Sequence, residues 1–403
     1  MLDTLPNLLA GGTNSPISFP ENYPKWVSKG QGAYVYDTSG RKYIDLWMGY
    51  GALLFGHADE QIIDVIKKTI TNGWFFSNPP IVELELAETI HKLIPSAEKV
   101  RYATTGSDAV AYALRAARSH TKRDKILTIK GGYHGVHEGV IKSAGVNKIT
   151  EANVDFIPYN DIYYVKEKLK SKEYAAFILE PILANSGCTP PRENYLNEVR
   201  EICSETDTIL IFDEVVTGTR IHVGGAQSYY NVTPDLTVFS KAIANALPLS
   251  VVCGKEFIMN EFMPVGNVFF AGTFNGHPLS LAVAKHVYSR LSDGKIHEKV
   301  NALGDRLRKH IRDEIDRLDL HASVQGVGSM LTVAFGCEEF EQGLSPNHDS
   351  KTYTTFIQKL ASKGIVFPPL CTETVFLSPV HQEVIEEIEL KISEALTELK
   401  ECK

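Results

Sequence analysis

The sequence predicts an α/β protein: a large domain built on a largely parallel sheet with helices on both faces, and a smaller α+β companion. Three observations carry this. Short apolar runs at 125–129, 175–179, 209–212 and 236–239 alternate with helical segments, and strands alternating with helices argue for parallel pairing through crossovers. The runs are too apolar to face solvent, as expected of strands covered on both sides. The length of 403 residues, 43% of them hydrophobic, exceeds one ordinary small domain.

Taken in order, the chain opens with a turn-rich arm. An extended run at 33–36 precedes the turn Asp37-Thr-Ser-Gly40, and apolar residues at helical spacing predict a helix over 60–71. The alternating strands and helices run from Pro80 to roughly Asn275. Helical patterns follow at 279–291 and 295–318, then apolar runs at 330–335 and 364–367. That tail is expected to rejoin the N-terminal arm, giving boundaries of 1–75 (arm and part of the small domain), 76–290 (large domain) and 291–403 (the rest of the small domain).

The formal charge of -8 provides no basic surface of the kind that nucleic acid or anionic lipid needs. Small molecules and copies of the same chain are the expected partners. Six cysteines, at 188, 203, 253, 337, 371 and 402, include no Cys-x-x-Cys pair, so neither a zinc site nor a disulfide framework is expected, and the chain reads as reduced and cytoplasmic. No uninterrupted apolar stretch is long enough to cross a bilayer, and the opening residues lack a targeting pattern.

Two polar residues interrupt the apolar strands. Asp213 stands at the carboxyl end of the run at 209–212, the end where open α/β sheets hold ligands. A lone aspartate at a strand end is ordinarily a cap. About 28 positions later, Lys241 breaks the small and apolar run Thr237-Val-Phe-Ser-Lys241-Ala-Ile-Ala. A lysine there is partly desolvated, which lowers its pKa and makes it nucleophilic, although most lysines are solvated surface charges.

The two blocks Asp213-Glu-Val-Val-Thr-Gly218 and Pro234-Asp-Leu-Thr-Val-Phe-Ser-Lys241-Ala-Ile-Ala-Asn resemble the signature of the class III pyridoxal-phosphate aminotransferases. The similarity covers nearly the whole chain and leans toward the glutamate-1-semialdehyde aminomutase branch. It takes in Gly12-Thr-Asn-Ser-Pro16, Tyr36 to Asp45, Thr105-Gly-Ser-Asp-Ala109, Gly132-Tyr-His-Gly135, Glu180-Pro181 with Asn185, Ala271 to Pro278, and the tail around Glu373. The resemblance implies fold type I: a mostly parallel seven-stranded large domain, a small domain made from both termini, and a homodimer with shared active sites.

It also implies roles. Lys241 holds pyridoxal phosphate as a Schiff base and, once freed by substrate, shuttles a proton. Asp213 keeps the pyridine nitrogen protonated. Gly106 and Ser107 offer backbone amides and a hydroxyl to the phosphate at a helix N-terminus; by itself that segment reads equally well as a simple N-cap. Tyr133 and Val215 flank the ring, where core packing is the ordinary alternative, and Asn185 reaches the phenolic oxygen. Thr273 reaches the phosphate of the neighbouring subunit. Glu373 matches an acid near the substrate, though loop carboxylates are commonly just solvated.

Three positions depart from the branch pattern. Ser18 stands where an arginine would fix a substrate carboxylate, and a serine cannot make that bidentate pair. Tyr50 replaces the usual tryptophan beside the substrate, adding a hydroxyl to the pocket wall. His277 replaces an asparagine and is expected to be a turn residue without a chemical task. The leading expectation is therefore ping-pong transamination from a donor such as glutamate to an aldehyde or ketone acceptor. Ser18 weighs against the alternative, an intramolecular aminomutase of the glutamate-1-semialdehyde type. A third possibility, a degenerate cofactor-binding scaffold, is disfavoured by the retention of Lys241, Asp213, Asn185 and Tyr133.

Overall fold

The computed structural model describes residues 8–14, 17, 19–137, 153–343 and 347–401. Strands β1 (Val27–Gln31), β2 (Tyr34–Asp37) and β3 (Lys42–Asp45) precede helices α1 (Glu60–Ile70) and α2 (Ile81–Leu93). Then come β4 (Lys99–Ala103), α3 (Gly106–Thr121), β5 (Lys125–Ile129), β6 (Val154–Ile157), α4 (Ile162–Leu169), β7 (Tyr174–Leu179), α5 (Tyr195–Glu205), β8 (Ile209–Glu214), α6 (Gly225–Tyr229), β9 (Leu236–Phe239) and β10 (Ser250–Gly254). The last part holds α7 (Glu256–Met259), α8 (Pro278–Leu291), α9 (Lys295–Arg317), β11 (Ala322–Gln325), β12 (Met330–Phe335), α10 (Ser350–Ser362), β13 (Ile365–Val366), β14 (Val375–Phe376) and α11 (Ile385–Glu401).

Seven strands form the large sheet in the order β4-β10-β9-β8-β7-β5-β6. Within it β10 runs antiparallel to both neighbours, while β5 to β9 are parallel. Because β10 is reversed between β4 and β9, β4 points the same way as the parallel set. Six carboxyl ends therefore share one edge of the sheet, where ligands bind in such folds.

Alternation along the strands assigns each side chain to a face. On β8, Ile209 and Ile211 pack with the α3 residues Ala109, Val110, Ala113 and Ala117. Leu210 and Phe212 pack oppositely, with Val165 and Leu169 of α4 and Val199 and Ile202 of α5. All six residues of β8 are buried. Fully burying such apolar side chains stabilises by about 1.5–3 kcal/mol each, so the strand tolerates polar residues only where hydrogen bonds or a site satisfy them. Continuing the alternation sends Asp213 to the α3 face and Glu214 to the other. Glu214 is enclosed there, accepting from the amides of Ala226 and Gln227, the Gln227 side chain and Thr217 Oγ1, and burial raises its pKa to about 6.

Both termini build the second body, as the resemblance implies. β13 pairs in parallel with β3, joining Ile365 to Ile44, in the sheet β1-β2-β3-β13. A second sheet, β11-β12-β14, lies in the C-terminal part. Their core unites Ile44 and Leu46 with apolar faces of α9, α10 and α11. No helix among the described residues is long and apolar enough to cross a membrane.

Candidate active site

Where the carboxyl ends meet, a cavity of about 330 Å³ is lined by Gly106, Ser107, Tyr133, His134, Glu180, Asn185, Asp213, Val215, Ser240 and Lys241, among others. Seven of the residues singled out by sequence thus share one space. They arrive from five strand ends: Gly106 and Ser107 after β4, Tyr133 after β5, Asn185 after β7, Asp213 and Val215 from β8, and Lys241 after β9.

Lys241 follows the extended Ser240 and opens a 3-10 turn with φ +51°. Non-glycine residues adopt that left-handed region at a cost of roughly 1–2 kcal/mol, so the surroundings must hold it. Ser240 Oγ donates to the Leu249 carbonyl at 2.8 Å, and Asn245 Oδ1 accepts from the Leu54 and Phe55 amides at 2.8 and 2.9 Å. Burial lowers the pKa of the Lys241 amine, against the opposing pull of Glu180, Glu373 and Asp213. The amine is the one Lys or Arg group among the lining residues.

Asp213 is buried, with Oδ1 accepting from the Val215 amide at 3.1 Å and Oδ2 lying 2.8 Å from His134 Nδ1. Glu180 is buried as well. It accepts from the Tyr133 and Ala184 amides and from Asn185 Nδ2 at 2.9, 3.2 and 3.0 Å, which fixes the turns carrying Tyr133 and Asn185. Burial pushes its carboxyl up to about 7, with His134 pulling down and Asp213 pushing up.

At the far end α3 begins. Thr105 caps it, its Oγ1 accepting from the Asp108 amide at 3.2 Å. The amides of the first helical turn lack partners within the helix, and the helix dipole favours an anion there. Backbone approach is close at this end. A Cβ on Gly106 would meet Val215 Cγ2 at 2.9 Å, and one on Gly135, whose φ is +87°, would run into Ser107. Ser107 Oγ also accepts from the Val136 amide at 3.1 Å.

The other singled-out residues are placed differently. Tyr50 has φ +58° and packs against Trp47 with ring centroids 4.2 Å apart. Glu373 lies close enough to Lys241 for each charge to act on the other; burial raises the Glu373 pKa and the amine pulls it back. Thr273 is exposed and does not line this chain's cavity. His277 caps α8, with Nδ1 accepting from the Leu279 amide at 3.3 Å. Ser18 and Cys402 lie outside the described residues.

Sequence reasoning assigned nothing to His134, Glu180 or Arg220. Arg220 is fully buried and donates to the carbonyls of Leu377, Gly51 and Leu53 at 2.9, 2.6 and 3.2 Å, tying the C-terminal segment to the Tyr50 loop. Burial lowers its pKa to about 9. For Glu180 and Arg220 the available signal was a charged residue among apolar and small neighbours; His134, in a turn between the exposed Tyr133 and Val136, carried none.

A family model described as "Aminotransferase class-III" matches residues 19–399. A glutamate-1-semialdehyde 2,1-aminomutase of Archaeoglobus fulgidus is 37% identical over 405 residues, covering 97% of this chain and 96% of the relative. One from Methanothrix thermoacetophila is 38% identical over 391 residues, covering 94% and 91%. Among solved structures, an omega-transaminase from Sphaerobacter thermophilus matches with TM-score 0.91 at 26% identity, covering 97% and 95%. One titled "Transaminase with PLP bound" matches with TM-score 0.90 at 26% identity, covering 97% and 95%.

Proposed function

Since the chain belongs to the class-III aminotransferase family, we propose that it is a pyridoxal-phosphate enzyme that moves an amino group between neighbouring carbons of one substrate, as an aminomutase does. The observation that carries the cofactor reading is the Lys241 amine held in a cavity between a buried carboxylate, Asp213, and the N-terminus of α3. That arrangement fits a flat ring with a basic nitrogen at one end and a phosphate at the other. Bound there, pyridoxal phosphate supplies an electron sink for charge left on the substrate carbon.

The protein's own groups divide the remaining work. Lys241 Nζ binds the cofactor covalently; freed by substrate, and with its pKa lowered by burial, it takes a proton from a substrate carbon and returns it. Asp213 holds the proton on the ring nitrogen. The Gly106 and Ser107 amides hold the phosphate, Tyr133 and Val215 confine the ring, and Asn185 orients it. Thr273, exposed here, reaches the phosphate of a second copy in a homodimer, whose contact face includes the exposed aromatics Trp74, Phe75, Phe76 and Phe274.

Intramolecular transfer is favoured by the curated relatives, which are named as aminomutases over nearly their full length. Glu373 fits it too. With a second nitrogen lent by the amine form of the cofactor and regained from the neighbouring carbon, such a shift would pass through a species with amines on both carbons, and a carboxylate near Lys241 would suit that extra positive charge. Transamination between two molecules is the second reading. It is favoured by Ser18, which removes the arginine expected to bind a substrate carboxylate.

The two readings separate in a half-reaction. Holoenzyme mixed with glutamate alone should release no keto acid if transfer is intramolecular, and should isomerise an amino-carbonyl substrate without any donor. Stoichiometric release of 2-oxoglutarate with conversion of the cofactor to its amine form would establish transamination instead.

A further inference from the structure

His134 has no part in the roles given above, yet it makes the most direct protein contact with Asp213. Its Nδ1 lies 2.8 Å from Asp213 Oδ2 and its Nε2 lies 3.0 Å from Thr128 Oγ1. The His134 and Asp213 side chains are 1% and 3% exposed, so neither has water as an alternative partner. Thr128 is the one polar residue within the apolar part of β5 and is itself buried. Strand alternation puts it on the side of Ile126, which packs with α3, the same face to which Asp213 is directed.

An ionised carboxylate only accepts hydrogen bonds, so Nδ1 carries the hydrogen it donates to Asp213. Nε2 pairs with the Thr128 hydroxyl, which can either donate or accept. The row Thr128–His134–Asp213 is thus a hydrogen-bonded chain in which His134 Nδ1 donates to the carboxylate and Thr128 anchors the other side of the ring.

We propose that His134, backed by Thr128, is a positioning residue that orients Asp213 and stabilises its negative charge, and through it holds the proton on the cofactor's ring nitrogen. The inference rests on the reading that pyridoxal phosphate occupies this cavity. Only an ionised carboxylate balances a protonated ring, and with so little of Asp213 exposed its oxygens depend on protein donors such as His134 Nδ1 and the Val215 amide.

The test measures cofactor affinity in apo protein, using the two amide replacements that separate the ring nitrogens. An asparagine places its amide nitrogen near the position of Nδ1, whereas a glutamine reaches toward Nε2. His134→Gln should weaken pyridoxal phosphate binding about tenfold, the effect of one lost charge-assisted hydrogen bond; His134→Asn should bind close to wild type. With an analogue carrying carbon in place of the ring nitrogen, all three proteins should bind alike, because Asp213 then has no proton to hold.

Unchanged affinity of His134→Gln for pyridoxal phosphate would overturn the proposal. So would a loss that persists undiminished with the analogue, which would make His134 merely structural. If His134→Gln does not fold, Thr128→Val serves in the same assay: weaker binding of pyridoxal phosphate but not of the analogue supports the chain, and no change refutes it. Failure of the wild-type protein to take up pyridoxal phosphate at all would instead bring down the reading of the site.

Discussion

Lys241 is held in a left-handed backbone conformation, surrounded by three carboxylates and deprived of water. Burial wins over the carboxylates, and the amine titrates below the usual lysine range. The sign of each neighbour's effect gives a test. Glu373 favours the charged amine, so Glu373→Gln should move the pH profile for chemical labelling of Lys241 in apo protein to lower pH. An upward shift would mean that the carboxylate does not face the amine. Lys241 and Asp213 were legible in the sequence because each interrupts residues that otherwise belong in a core. His134 was not, since a single histidine in a glycine turn carries no mark of the aspartate it meets 79 positions away.

At the scale of elements, the end of the cavity proposed to hold the phosphate depends on how closely the turn at Gly135 approaches the start of α3. A Cβ there would collide with Ser107, and its φ of +87° disfavours any side chain. Gly135→Ala should therefore weaken pyridoxal phosphate binding at least about tenfold, while the same change should affect affinity for unphosphorylated pyridoxal much less. Equal losses for both would place the damage away from the phosphate end. The apolar strands β5, β7, β8 and β9 were readable from composition, and the helices α1, α8 and α9 from periodicity. β4 was not, because Lys99 and Arg101 give Lys-Val-Arg-Tyr-Ala a surface character. β10 follows a turn with positive φ at Asn245 and Ala246, where Asn245 Oδ1 accepts from the distant Leu54 and Phe55 amides.

Across the whole molecule, Arg220 joins what the sequence leaves far apart. Its guanidinium holds carbonyls from the Gly51–Leu53 loop and from Leu377, with the ring of Phe376 beneath it at 5.3 Å. Arg220→Met would leave those carbonyls buried without donors, a loss of about 3 kcal/mol, measurable as a lower midpoint in denaturant unfolding. An unchanged midpoint would mean that water replaces the guanidinium. The same long-range character explains what sequence reasoning about function left open. The resemblance specified the nitrogen chemistry and ranked transfer between molecules first, because of Ser18. The relatives favour transfer within one molecule, and the cavity that would choose the substrate is built from segments far apart in the chain.

Every role proposed for the cavity depends on Lys241 holding the cofactor. Protein incubated with pyridoxal phosphate, reduced with borohydride and mapped by peptide mass should carry one phosphopyridoxyl group, on the peptide containing Lys241, and the Lys241→Ala variant should carry none. A label on another lysine, or none on the wild-type chain, would contradict it.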